Sequence, residues 1–272
     1  MKLTFSKIYS DWNNIFKESQ IDLDNIAFTD PWGMAILCLK SIELVSTNNK
    51  QIIFPKDKDV LYYLKRVHFD EFLKDIGLTE AANQLNKINM PEKDNLNVYE
   101  IYHSDTRDEF GARLTRCLRM FENFGLNTEQ AQFATAIIGE LGNNVFDHNA
   151  FNWPTNISGA IICGQGYPKF KKIEIAIADP GIGFKKSLNN RKPNLKNEIE
   201  AIKLGLSGVS GWIDAKRGNG LKLVQDWTLN QFSGILRIQS GNGLVTVAKT
   251  GIKGYKTNKI LGTIAEFVIK YH

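Results

Sequence analysis

The chain has 272 residues, 43% hydrophobic and 23% charged, enough for one large core or two smaller ones, which excludes disordered and low-complexity classes. No apolar stretch approaches the roughly 18 to 20 residues that span a bilayer. The N-terminus mixes Lys2, Lys7, Asp11, Lys17 and Glu18 without an apolar signal segment, so the expectation is a cytoplasmic protein with no membrane association. The net charge of +5 is lopsided: residues 1–100 carry a net −3 and residues 101–272 a net +8. A basic second part fits a polyphosphate ligand, an acidic surface or nucleic acid.

The predicted elements fall into two regions. The first holds a strand-like Ile21–Phe28, a helix over Pro31–Val45 with apolar spacing at Ala35, Leu39 and Ile42, and a short strand Gln51–Phe54 stopped by Pro55. Asp57 stands at an N-cap position before the helical Val60–Val67, and a further helix covers Phe69–Ile76. This alternation predicts a small α/β domain over residues 1–78. Residues 79–106, with Asn86, Asn89, Pro91, Asn95 and Asn97, lack periodicity and are expected to be a linker.

The second region, 107–272, opens with helices over Phe110–Phe124 and Thr128–Asn149 and strands at Ser158–Cys163 and Lys172–Ala178. A Gly- and Lys-rich stretch from Gly181 to Gly220 leads into a helix over Leu221–Phe232. Strands Ile235–Gln239 and Leu244–Lys249 flank Gly241-Asn242-Gly243, a hairpin turn sequence, and a final strand runs through Thr263–Lys270. The expected fold class is α+β: a mixed sheet with helices on one face. Cys38, Cys117 and Cys163 read as reduced thiols, and the dispersed histidines form no metal-ligand pattern.

Polar residues on predicted buried faces mark the candidate site. In Thr128–Asn149 the stripe Phe133, Ile137, Leu141, Val145 faces the core, and Glu140 and Asn144 lie within the same inward arc. An unpaired buried carboxylate costs several kcal/mol, so Glu140 is paired, protonated or facing a wet pocket; a buried network that fixes helix register is the plainer alternative. In Lys172–Asp179 the carboxylate of Asp179 shares the parity of Ile173, Ile175 and Ile177 and is followed by Pro180-Gly181-Ile182-Gly183. Those glycines let a ligand approach the backbone, and an ordinary Asp-Pro-Gly turn explains the same residues. Gly218-Asn219-Gly220-Leu221 opens a helix, which makes either an anion site or a glycine hinge. Lys185, Lys186, Arg191, Lys192, Lys196, Lys203, Lys216 and Arg217 in front of it suit a cationic lid or a solvated loop.

Common nucleotide and hydrolase motifs are absent. Lys186 stands where a dinucleotide fingerprint needs its third glycine, and there is neither a Gly-x-x-x-x-Gly-Lys-Ser/Thr nor a Gly-x-Ser-x-Gly.

Taken in order, Glu140-Leu-Gly-Asn-Asn144-Val-Phe-Asp-His148, Asp179-Pro-Gly181-Ile-Gly183, Gly218-Asn-Gly220-Leu221 and Gly262-Thr263 resemble the GHKL superfamily, whose ATP site is built on the Bergerat fold. The resemblance covers about residues 107–272 and implies an α/β sandwich with ATP between helices and sheet. It assigns Asn144 to magnesium, Glu140 to activation of the attacking water or hydroxyl, and Asp179 to the adenine amino group. Gly181 and Gly183 would let the backbone pass the base, and Gly218, Asn219, Gly220 and Leu221 would place a helix N-terminus at the phosphates. Thr263 resembles the threonine that supports the adenine-binding aspartate. The Glu-x-x-x-Asn-x-x-x-His spacing is closest to anti-sigma-factor serine kinases. A shorter segment, Asp22 to Met34, resembles the STAS anti-sigma-factor antagonists, with Pro31 where their acceptor serine falls. The implied function is an Mg-ATP-binding regulatory protein that hydrolyses ATP or phosphorylates a partner's Ser/Thr, with homodimerisation implied by resemblance alone. The alternatives are a nucleotide-gated interaction module without turnover and, less favoured because the lid has no interleaved aromatics, a nucleic-acid binder.

Overall fold

The computed structural model describes residues 1–47, 50–90, 97–149, 152–189, 192–209 and 219–271. The first elements are α1 (Ile8–Ile15), β1 (Phe16–Lys17), β2 (Gln20–Asp22), α2 (Pro31–Val45), β3 (Gln51–Ile53), α3 (Lys58–Arg66), α4 (Phe69–Asp75) and α5 (Thr79–Asn86). Then come β4 (Val98–Ser104), α6 (Arg107–Asn123), α7 (Thr128–Asn149), β5 (Ala160–Tyr167), β6 (Lys172–Asp179), α8 (Gly183–Leu188), α9 (Glu198–Leu206) and α10 (Gly220–Asn230). Last are β7 (Ile235–Ser240), β8 (Gly243–Ala248), β9 (Gly251–Lys256) and β10 (Thr263–Lys270).

Local chemistry explains several boundaries. Asp30 caps α2 by accepting the Gly33 N–H, with Pro31 at the first helical position, where its missing N–H is harmless. Asp57 caps α3 as expected, and Thr106 with Glu109 forms a reciprocal capping box on α6. The expected strand Ile21–Phe28 is cut short at Asp22, whose carboxylate accepts the Asp24 N–H and turns the chain. Ile21, Leu23 and Ile26 are still buried, so the apolar signal was real but belonged to a turn.

The large sheet has seven strands in the order β4-β5-β6-β10-β7-β8-β9, and every neighbouring pair is antiparallel. The expectation of a mixed sheet is thus corrected. Residues 79–106, expected as a linker, include α5 and the edge strand β4, so this sheet begins before residue 107. A separate three-stranded sheet, β1-β2-β3, pairs β1 with β2 antiparallel and β2 with β3 parallel.

Helices on one face only is also corrected, because both faces are buried. Ile173, Ile175 and Ile177 of β6 pack with α6, α7, α9 and α10, whereas Ala176 and Ala178 pack with α2 and the other N-terminal elements. The alternation of the strand sends successive residues to opposite layers. In α2 every residue except Lys40, Glu43 and Val45 is buried, as befits a helix that is apolar almost all round. At Gly33 a methyl group would lie 1.9 Å from the Leu3 carbonyl oxygen, so the N-terminal segment and α2 are in close contact. All three cysteines are buried and free, and among the described residues no helix is long and apolar enough to cross a membrane.

The face toward α2 carries a buried ion pair. Glu266 on β10 lies across from Arg237 on β7 and bonds its guanidinium, which also stacks 3.9 Å from the centre of the Phe5 ring. Burial raises the Glu266 carboxyl pKa; Arg237 opposes that shift, and Asp30 and Glu174 add to it. Removing one partner of a buried pair costs roughly 3–5 kcal/mol, whereas replacing both with apolar groups is often neutral. Arg237→Met should therefore destabilise the fold more than Arg237→Met combined with Glu266→Leu. Denaturant midpoints check this; a double variant no more stable than the single one contradicts it.

Candidate functional site

The cavity of interest lies between the inner face of the sheet and helices α7, α8 and α10. Its walls include Leu141, Val145, Phe184, Leu221, Ile177, Ile238 and Ala265, with Asn144, His148, Asn149, Asp179 and Thr263 as polar members. Strand register explains this layout. Asp179, Thr263 and Ser240 are cross-strand neighbours on β6, β10 and β7, and the next inward-facing row is Ile177, Ala265, Ile238. A polar row thus crosses three strands directly beside an apolar one.

Asp179 is 5% exposed. Its Oδ1 accepts the Gly181 N–H at 2.9 Å, the turn bond that Asp-Pro-Gly predicts by itself, and the Asn149 Nδ2–H at 3.0 Å. Among the described residues Oδ2 accepts no hydrogen bond. Burial raises the carboxyl pKa to about 7, opposed by the bonds from Gly181 and Asn149. The site therefore holds a carboxyl that titrates near neutral pH, with one oxygen committed and one available.

Asn149 organises the region. It donates to the Val145 carbonyl and to Asp179, and its Oδ1 accepts the Ile182 N–H at 2.9 Å. A methyl group at Gly181 would lie 2.1 Å from that Oδ1, which excludes any side chain there. Gly183 (φ +76°) and Gly262 (φ +63°) occupy the left-handed region. At Gly262 a methyl would sit 1.8 Å from the Asp179 carbonyl oxygen, at Gly183 2.6 Å from Ser240 Oγ.

Further polar contacts tie the surrounding helices down. Ser240 Oγ accepts the Phe184 N–H and donates to Glu198, which also accepts the Lys185 N–H. His148 Nδ1 is 3.0 Å from Ser187 Oγ, joining α7 to α8, and burial holds the imidazole pKa below its ordinary value. A neutral ring is thus favoured at pH 7.

Asn144, Asp179, Gly183, Leu221 and Thr263 line this one cavity, and Gly181 stands directly behind it. Glu140 and Asn144 are half-buried rather than sealed in the core. Glu140 does not line the cavity; it borders a shallow groove between α6 and α7 with Leu114, Leu118 and Ala136. It still adjoins the start of α10: a methyl at Gly220 would lie 2.4 Å from Glu140 Oε2 and 4.0 Å from Asn144 Oδ1. Asn219 precedes α10 as its N-cap without a side-chain cap bond. Gly218, Arg191, Lys216 and Arg217 lie outside the described residues.

Asn149, Ser240 and Glu198 were not anticipated. Asn149 had a readable signal, since it is the next i+4 position of the stripe Ile137, Leu141, Val145 and is 3% exposed. Glu198, remote in sequence and in a lysine-rich stretch, had none.

Chemically, the site combines an apolar slot ending in a carboxylate with a helix N-terminus. Leu223 donates to the Asn219 carbonyl, so the N–H groups of Gly220, Leu221 and Lys222 precede the first intrahelical bond and, among the described residues, have no backbone acceptor. Beside them, the Glu140 and Asn144 side chains supply hard oxygen ligands.

Compared with protein-family models, with curated proteins and with solved structures, the chain gives no match.

The raised pKa of Asp179 has a definite sign. From its ordinary value of 3.8 up to about 7 the folded chain binds more protons at this group than the unfolded chain. Its contribution to stability is present in full below pH 3.8 and is lost as pH rises through about 7. Asp179→Asn removes the titration and keeps an acceptor oxygen for Gly181 and Asn149. Wild type should lose stability relative to this variant as pH rises from about 4 to about 7, followed by urea midpoints. Parallel pH profiles would show that the carboxyl is not buried as described.

Proposed function

We propose that the chain is an Mg-ATP-binding regulatory protein of the GHKL type, with the nucleotide held between the sheet and helices α7, α8 and α10. The carrying observation is the Asp179 carboxylate at the end of an apolar slot, oriented through one oxygen by Gly181 and Asn149. Its second oxygen accepts an adenine amino N–H, a donor that the carbonyl of guanine does not supply. Thr263, directly across from Asp179, supports the carboxylate from the central strand. Gly181 and Gly183 keep side chains out of the path of the base.

The phosphates belong at the start of α10, where free backbone N–H groups and the helix dipole favour negative charge. Lys185 and Lys186 on α8 add positive charge nearby in sequence to the cavity wall at Phe184. Among the described residues no group of three or more His, Cys, Asp or Glu is placed to hold a metal. Magnesium takes one or two protein oxygens and leaves the rest to phosphates and water. Asn144 supplies one such oxygen. When bound, magnesium would neutralise charge developing on the phosphates. Glu140 is the base that takes a proton from the attacking water or from a partner's Ser/Thr hydroxyl.

A second reading, ATP-gated binding without turnover, is favoured by the position of Glu140 outside the cavity lining. Incubation with γ-labelled ATP and cell lysate separates the two. On the enzymatic reading Glu140→Ala lowers free phosphate and labelled protein by about a hundredfold or more while Mg-ATP affinity stays within about threefold. Unchanged phosphate release and labelling in the variant would remove the enzymatic role. In the same samples Asp179→Asn should lose nucleotide affinity while unfolding cooperatively; retained affinity contradicts the assigned reader.

A further inference from the structure

A second feature lies at the far edge of the large sheet. All six residues of β9 are exposed, and among the described residues no strand pairs with its outer side. Its outward backbone groups follow from the ladder. Gly251 pairs with Ala248 across a two-residue turn, and the Thr257 N–H bonds the Asn242 carbonyl at 2.9 Å. Because bonded and non-bonded pairs alternate along an antiparallel ladder, residues 251, 253 and 255 bond to β8. The N–H and C=O groups of Ile252, Gly254 and Lys256 are therefore directed away from the sheet.

The side chains around this edge share one chemistry. Lys249, Lys253, Lys256 and Lys259 are all exposed, and no Asp or Glu occurs between Asp226 and Glu266. Ile252 and Tyr255, 44% and 47% exposed, stand on opposite faces of the strand and offer apolar contact on both. The face at Gly254 is backed by α9, where a methyl would meet Ile199 Cγ2 at 2.5 Å, so the strand has a firm support.

We propose that β9 is a docking edge for an acidic, extended segment of a partner protein, which adds to the sheet as a further antiparallel or parallel strand. Backbone bonds to Ile252, Gly254 and Lys256 give affinity, and the lysines select carboxylate-bearing side chains. A second copy of this chain is disfavoured, because pairing two such edges gathers two sets of four lysines with no carboxylate between them. The unpaired backbone edge and the apolar residues on both faces favour a peptide over a nucleic acid, which would use the charge alone. This inference stands on the sheet edge and is independent of the nucleotide reading.

The test uses the full chain and a short fluorescein-labelled peptide of alternating glutamate and valine, followed by anisotropy and by amide exchange. Binding should slow exchange at the Gly254 and Lys256 amides by about tenfold or more. Lys253→Glu combined with Lys256→Glu should weaken the complex by about tenfold or more and create affinity for the matching lysine–valine peptide. Ile252→Pro leaves the charge unchanged and removes one outward N–H on an edge strand, where proline is tolerated; it should also weaken binding by about tenfold. Absence of binding by the wild-type chain overturns the proposal. So does binding that leaves these amides unprotected, or an equal loss of affinity for the peptide and for oligothymidylate with Ile252→Pro unaffected. Exchange in the wild-type chain needs no variant, so misfolding of either variant does not rescue the idea.

Discussion

Alternation along β6, in a sheet buried on both faces, is the constraint on which the rest of the molecule depends. Ile173, Ile175, Ile177 and Asp179 face one helical layer, while Glu174, Ala176 and Ala178 face the layer built around α2. A slip of one residue would exchange these sets and put the isoleucines against α2, so both layers enforce the same register. The pairing of β10 with β6 and β7 carries that register across the sheet, which is why Asp179, Thr263 and Ser240 fall in one row. The glycines at 181 and 262 then allow the chain to pass where any Cβ would collide with Asn149 or with the Asp179 backbone.

Both faces hold polar groups that would be costly if left alone. On the α2 side Glu266 is paired across strands with Arg237, and Tyr9, Trp32 and Gln239 form a connected hydrogen-bond chain beside it. Even so, Glu266 Oε1 and Arg237 Nε are buried without a hydrogen-bond partner among the described residues. On the other side Asp179 has one oxygen without a hydrogen-bond partner among the described residues, in a cavity and with a carboxyl shifted toward neutrality by burial. Each face thus holds a half-satisfied carboxyl whose pKa burial raises, and what sets Asp179 apart is that it lines the cavity.

Much of this was legible in the sequence where local chemistry is strong. α2, α7 and β10 begin and end where the sequence predicts, because α2 has a capping Asp before Pro31 and the other two have long, regular apolar patterns. The candidate residues on α7 and β6 were likewise visible as polar positions on predicted buried faces, whereas Thr263 on β10 came only from the family resemblance. What escaped depended on tertiary context. β4 and β9 are edge strands with weak alternation, and β9 buries none of its residues, so no apolar period marks it. Strand direction is invisible in residue patterns, which is why a mixed sheet was expected. The second helical layer was hinted at by the unbroken apolar run Met34–Leu39, a sign of burial all round that ordinary amphipathic spacing does not capture.

The central claim is that the cavity beside Asp179 reads an adenine amino group. Calorimetric titration of the same sample with Mg-ATP and then Mg-GTP tests it most directly. The account predicts saturable binding of ATP and affinity for GTP weaker by about a hundredfold or more, since guanine turns a carbonyl toward the carboxylate. Equal affinities, or no binding of either nucleotide, would contradict it.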